Sequence, residues 1–178
     1  MSQINIITAM SSILQETKDI RSLKTFVAYP ESDALRPDSE DVSDFLAYCL
    51  EVKSPGGYAR REDFNPELLR PWLGHIMILE FLPKQDDFRY RMYGTIIAIE
   101  SGFDMTGKLV SAFQSETGDF FRSLYREAVD RREIIFTGIT GVHAENYCDW
   151  YRVICPTQHN QSTQIVACNY SKVRRNTT

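Results

Sequence analysis

The feature of this chain that most constrains its fold is the close spacing of five strand-like segments around one long helix. The segments alternate apolar and polar residues or are apolar throughout, and they span His75–Leu82, Phe88–Ile97, Glu133–Ile139, Asn146–Cys155 and Gln164–Lys172. Strands joined by such short connections pair antiparallel, because a parallel crossover needs about a dozen residues or more. The pattern therefore predicts an α+β fold, a five-stranded antiparallel sheet with helices on one face.

The first 37 residues are predicted to form a separate extension of the domain at residues 38–178. Apolar residues recur every three or four positions over Thr8–Val27, which is typical of an amphipathic helix. A polar linker containing Pro30 follows the helix. Its apolar stripe must be buried somewhere, either on its own sheet or against a second copy. We favour a homodimer, because two-fold pairs are the commonest assembly.

Three further helices are predicted inside the domain. The first begins after Asp38 or Ser39, which can cap it, and ends before Pro55-Gly56-Gly57. Asn65-Pro66 opens a short helix that Pro71 closes, because proline fits the first helical position and ends a helix that reaches it later. The third and longest spans Thr117–Arg132.

Turns and strand faces follow from the same reasoning. Gly138 and Gly141 are predicted to turn the chain between the first two of the last three strands, and the next turn lies in Pro156–Ser162. Alternation along Phe88–Ile97 places Phe88, Tyr90 and Met92 on one face of the sheet, and Arg89 and Arg91 on the other, where Arg91 could contact an acidic ligand.

Composition excludes several classes of function. The net charge is −4, so the chain lacks the excess of basic residues that is typical of a nucleic-acid-binding protein. No apolar run reaches the roughly 18 residues of a membrane helix, and the N-terminus shows no signal peptide. The four cysteines include no C-x-x-C pair, so neither a zinc site nor a disulfide framework is indicated. We expect a reduced, cytoplasmic protein that does not bind nucleic acid.

Two sequence motifs resemble those of a known family. Residues 88–95 read F-R-Y-R-M-Y-G-T, and residues 102–107 read G-F-D-M-T-G. Together with the F-N-P-E-L-L-R-P-W block at 64–72, they resemble a subgroup of small, stand-alone bacterial PAS proteins. The resemblance runs from about Asp41 to Lys172. It implies a PAS-like sheet and a sensory or signalling module that is not itself an enzyme.

The resemblance also implies what the module contacts. PAS domains hold small ligands between the inner face of the sheet and the helical middle, often dimerise, and pass a signal to a protein partner. Two alternatives stay open: a ligandless scaffold for protein interaction or dimerisation, and, more distantly, a small enzyme. No catalytic residue is assigned, because the paired acids lie in turns near arginines and no G-x-S-x-G elbow occurs.

Aromatic residues, 12% of the chain, supply the candidate ligand site. The residues expected to line it come from the second strand, the irregular middle and the long helix: Tyr90, Met92, Phe103, Phe113, Phe121 and Tyr125. The hydroxyls of Tyr90 and Tyr125 would anchor a polar group of the ligand. The same residues could instead form a filled core, because apolar residues at the spacing of a helix or a strand belong to the core more often than to a ligand site.

The identity of a cofactor is left open by the sequence, but three groups are disfavoured. Haem-binding PAS domains use a histidine on the long helix, and flavin photosensors of the family carry N-C-R on the middle helix; this chain has neither. Gly102–Leu109 matches the G-x-x-x-x-G-K of a nucleotide-binding loop, but Leu109 replaces the hydroxyl residue that would hold magnesium. The three histidines lack metal-ligand spacing.

Overall fold

The computed structural model describes residues 25–32, 37, 39–113, 115–143 and 146–174. Seven strands and three α-helices occur there: β1 Thr25–Ala28, α1 Glu40–Val52, β2 Ala59–Arg60, β3 Ile76–Leu82, β4 Asp87–Tyr93, α2 Thr95–Ser101, α3 Ser115–Arg131, β5 Ile135–His143, β6 Asn146–His159 and β7 Ser162–Arg174. The strands form one sheet in the order β1-β5-β6-β7-β3-β4, antiparallel throughout, and β2 adds a short parallel pairing to β6. The predicted α+β class with an antiparallel, PAS-like sheet is confirmed, but the sheet has seven strands and not five, because β1 and β2 join the five predicted strands.

Helices cover both faces of the sheet, not one as predicted. Alternate residues of β3 are buried on opposite sides, with Ile76 and Ile78 in one apolar cluster and Met77 and Leu79 in the other. The cluster of Ile76 and Ile78 also includes residues of α1, and the cluster of Met77 and Leu79 includes residues of α3. The near-continuous apolar run of β3 reflects this burial, as expected for a central strand covered twice.

The face under α1, which we call the α1 face, includes Phe64, Leu69 and Trp72 of the block at residues 64–72. Phe45 of α1 meets Trp72 edge-on, with ring centroids 5.3 Å apart, and the Trp72 indole N–H donates to the Asp41 carbonyl. The predicted helix opened by Asn65-Pro66 is a turn instead. Pro71 does not close it but lies in the first turn of a 3₁₀ helix, Arg70–His75, where a missing N–H costs little.

The N-terminal prediction is wrong where the structure describes it. Residues 8–24 of the predicted helix, Thr8–Val27, lie outside the described residues, but its end belongs to β1. Phe26 pairs with Gly138 of β5 and packs edge-on to Phe136, with centroids 5.1 Å apart. Aromatic and β-branched residues favour such an edge strand. A helix was predicted here because the apolar residues of the segment recur every three or four positions.

The other predicted boundaries change at β4 and β5. The strand predicted to reach Ile97 ends at Tyr93, because Gly94 turns the chain directly into α2. Gly138 and Gly141 lie within β5 and make no turn. A side chain at Gly138 would collide with the Phe26 ring, so this glycine leaves room for β1 packing across the sheet. The final turn is at Asn160, whose φ of 53° is left-handed.

Candidate functional site: a cavity between the sheet and the helical middle

A cavity of about 620 Å³ lies between the sheet and the segment that joins α2 to α3. The sheet supplies one wall through β4, β5, β6 and β7. The opposite wall comes from α2, residues 103–113 and the first turns of α3. The lining is mainly aromatic and apolar: Tyr90, Tyr93, Ile97, Phe103, Met105, Ala112, Phe113, Phe121, Ile139 and Trp150, with Ser101, Lys108, Thr117, Arg152 and Asn169 as its polar members.

Four of the six predicted site residues line this cavity. They are Tyr90, Phe103, Phe113 and Phe121, and their rings form a continuous chain of contacts 5.4–6.4 Å apart between centroids. Tyr125 lies just behind this wall, stacked on Phe121 at 6.2 Å. Its hydroxyl is 3.4 Å from that of Tyr90, so it supports the cavity wall.

Met92 was placed on the wrong face of the sheet. A bulge lies between Ile78 and Leu79 in the pairing of β3 with β4, so that Met92 pairs with Ile78 and Tyr90 with Leu79. The extra residue, Arg91, reverses the alternation. Met92 therefore packs on the α1 face, and Tyr93 takes the position at the cavity that strict alternation would have given to Met92.

A polar group interrupts the apolar lining on the sheet side. Arg152 of β6 is only 8% exposed and Asn169, its cross-strand partner on β7, is 2% exposed. The guanidinium donates to the Tyr125 hydroxyl at 2.8 Å and to the Asn169 side-chain oxygen at 3.3 Å. It also lies 4.4 Å from the centre of the Phe121 ring, a cation–π contact.

The tyrosine hydroxyls of the cavity are held neutral. Burial raises the pKa of Tyr90 well above its ordinary value. Burial also raises the pKa of Tyr93, against the opposing effects of a hydrogen bond from Ser101 and the charge of Arg152. Neutral hydroxyls can both donate and accept, so they can serve a polar ligand atom of either kind.

The cavity meets solvent at its rim. Phe103 is 42% exposed although its ring lines the cavity, and Lys108 nearby is exposed as well. The loop at Gly102–Leu109 does not have the setting of a phosphate-binding loop. It follows helix α2 instead of a strand, and it is tied to β4, where the Tyr90 N–H donates to the Lys108 carbonyl at 3.0 Å.

Three of the lining residues that the sequence analysis did not predict are Tyr93, Arg152 and Asn169, and two of them had a signal in the sequence. Arg152 and Asn169 are single polar residues inside the apolar runs of β6 and β7. A buried polar position in a strand needs a partner, so each marks a site worth inspecting. Tyr93 carried no such signal, because a bulge cannot be read from the alternation that it disrupts.

A second, smaller cavity of about 490 Å³ lies on the α1 face. Two of its lining residues contact acidic side chains: Arg91 contacts Glu80 at 2.9 Å and His159 contacts Glu62 at 2.7 Å. The suggestion that Arg91 contacts an acidic ligand has no support in this arrangement, because its side chain already has an acidic partner and is about half exposed.

Two other properties concern the described residues as a whole. None of their helices combines the length and apolar character needed to cross a bilayer. They include no group of three His, Cys, Asp or Glu side chains placed to share a metal ion.

Three cysteines on the α1 face, Cys49, Cys155 and Cys168, are buried and form no disulfide. Burial raises the pKa of Cys49 and of Cys168, which keeps both thiols protonated.

Similarity to known proteins is limited. No protein-family model matches the sequence, and no curated protein matches it. Among solved structures, the chain is similar to one described as an RNA-binding Light-Oxygen-Voltage receptor, with a TM-score of 0.48 and 16% identity. The alignment covers 84% of this chain and 38% of that one.

Proposed function

We propose that this chain is a sensory module that binds a small organic ligand in the cavity between its sheet and helical middle, without catalysing a reaction. The observation that carries the proposal is a cavity of about 620 Å³ left open inside a well-packed domain. Protein interiors are close-packed, and voids larger than a water molecule are few. Ligand pockets have volumes of about 300–1,000 Å³ and apolar walls with a few polar groups.

The position of the cavity suggests how occupancy would become a signal. Its two walls belong to different parts of the fold, the sheet on one side and the segment at residues 103–113 on the other. Phe103 and Phe113 hold that segment against β4 through ring contacts with Tyr93 and Tyr90. A ligand between the walls would favour one arrangement of this segment, and a protein partner could distinguish the two populations.

The proposal is tested with phenylnaphthylamine, an uncharged dye that fluoresces in apolar sites. We expect saturable binding of one dye molecule per chain. Replacing Ile139 by tryptophan (Ile139→Trp) fills space at the β5 wall and should weaken binding by about tenfold or more, because overfilled apolar sites reject added volume. Ile99 is 79% exposed on α2, so Ile99→Trp is the matched control and should bind like the wild type.

Two results would contradict the proposal. One is the absence of saturable dye binding by the wild-type protein. The other is equal binding by Ile139→Trp and Ile99→Trp, which would place the dye elsewhere on the surface. Either result would favour the alternative, an interaction scaffold whose cavity its own side chains close in solution.

A further inference from the structure

The charge balance of the cavity carries an inference that rests on the proposed function and makes it more specific. Arg152 is a buried cation whose hydrogen-bond partners, Tyr125 and Asn169, are both neutral. Among the described residues it forms no ion pair, whereas Lys53, another buried cation, contacts Glu31 at 2.7 Å. The described lining residues of the cavity include Lys108 and no aspartate or glutamate.

A buried cation without an anion is costly. Burying a charge costs several kcal/mol unless it is paired and hydrogen-bonded. Neutral partners and the Phe121 ring offset part of this cost for Arg152, but they do not neutralise its charge. Arginine also presents five N–H donors in a planar fork that matches an oxyanion. The hydrogen bonds to Tyr125 and Asn169 fix the plane of this fork at the cavity wall.

We propose that the ligand is a small organic acid whose oxyanion group pairs with Arg152 and whose apolar or aromatic body lies against the rings of Tyr90, Phe113 and Phe121. The paired oxyanion supplies the negative charge that the cavity wall lacks. Asn169 is next to the guanidinium and lines the same cavity, so its amide nitrogen can donate to the same group. Exposed Lys108 at the rim attracts the acid on entry.

The test compares two dyes that share an aromatic frame. Anilinonaphthalene sulfonate carries an oxyanion, and phenylnaphthylamine lacks it. Titration of the wild-type protein with each dye, followed by fluorescence, should give at least about tenfold tighter binding of the sulfonate, since a hydrogen-bonded charge contributes that much. This comparison needs no variant, so it stands even if substitution of Arg152 prevents folding.

Variants then assign the preference to one residue. Arg152→Gln should lose the preference for the sulfonate over phenylnaphthylamine, whereas Arg152→Lys should keep part of it. Arg91→Gln is the matched control, because Arg91 is an arginine on the opposite face that already contacts Glu80. It should leave both affinities unchanged. Near-ultraviolet circular dichroism verifies that each variant is folded.

The outcomes separate the two proposals. If neither dye binds, the cavity does not take ligands, and both proposals fail. If both dyes bind equally well, or if Arg152→Gln keeps the sulfonate preference, ligand binding stands and the assignment of an acidic ligand to Arg152 is overturned. A preference lost in Arg91→Gln instead would move the anion site to the α1 face.

Discussion

Arg152 occupies a strand position whose neighbours on the same face, Trp150 and Ile154, belong to the apolar cluster under α3. The sequence predicted where aromatic side chains would gather, because ring-bearing residues at strand and helix spacing identify core positions. It did not predict which polar residue would join them. That depends on the register of β6 with β7, which sets Arg152 opposite Asn169 and which no local pattern specifies.

Asn65 is a second residue whose role depends on one polar atom. Its side-chain oxygen accepts hydrogen bonds from the backbone N–H groups of Glu67 and Leu68, at 3.1 Å and 3.0 Å. Asn65→Ala leaves these two donors without a protein partner and should lower the free energy of unfolding by about 1 kcal/mol. Urea denaturation measures the change.

Asn65→Asp is the matched variant, because a carboxylate oxygen can accept the same two bonds. It should unfold at nearly the wild-type urea concentration. Equal destabilisation by both substitutions would show that the amide nitrogen, and not the accepting oxygen, stabilises this turn.

At the scale of elements, β4 and its connection to α2 decide the shape of the cavity. The bulge in β4 brings Tyr93 to the cavity, and Gly94 then starts α2 without any loop. The F-R-Y-R-x-x-G-T motif therefore encodes a strand, a bulge and a close backbone contact. The sequence predicted the strand from its alternation, but alternation cannot indicate the residue at which it stops.

Gly94 allows the close contact between β4 and the Arg70–His75 helix. A β-carbon there would collide with the backbone carbonyl of Gly74, and rigid backbone cannot move aside cheaply. Gly94→Ala should therefore lower the free energy of unfolding by about 1–3 kcal/mol, the usual cost of overpacking. Chemical denaturation measures it.

The control for this prediction is Gly57→Ala. A β-carbon at Gly57 would come no closer than 3.6 Å to any neighbour, which is ordinary van der Waals contact. We expect a change within about 0.5 kcal/mol, as for other surface substitutions. If the Gly94→Ala protein were as stable as the Gly57→Ala protein, Gly94 and Gly74 would not be in close contact in solution.

At the scale of the whole molecule, the sheet separates two regions with different composition. The α1 face buries aromatic and aliphatic side chains and three thiols, whereas the cavity on the opposite face holds a buried cation that forms no ion pair among the described residues. The sequence predicted α1, α3 and the strands β3 to β7 in their correct order, but it did not predict β2 or α2. It did not predict that α1 covers the second face, because an amphipathic stripe shows that a helix is buried but not against which face.

Assembly is the other property at this scale. The homodimer inferred from the amphipathic stripe at Thr8–Val27 stays a prediction, now with one restriction. Residues 25–28 are paired with β5 of the same sheet, so these four residues cannot belong to a helix that contacts a second copy.

The central claim, that the cavity holds a small organic molecule, is tested most directly by native mass spectrometry of the freshly purified protein with an ultraviolet–visible spectrum. The account predicts a species heavier than the polypeptide by the mass of one small molecule per chain, within a dimer, and loss of that added mass in Ile139→Trp. Collisional release then gives the ligand's mass, which should be that of an organic acid. A wild-type protein that shows only the polypeptide mass and takes up neither dye would contradict the claim.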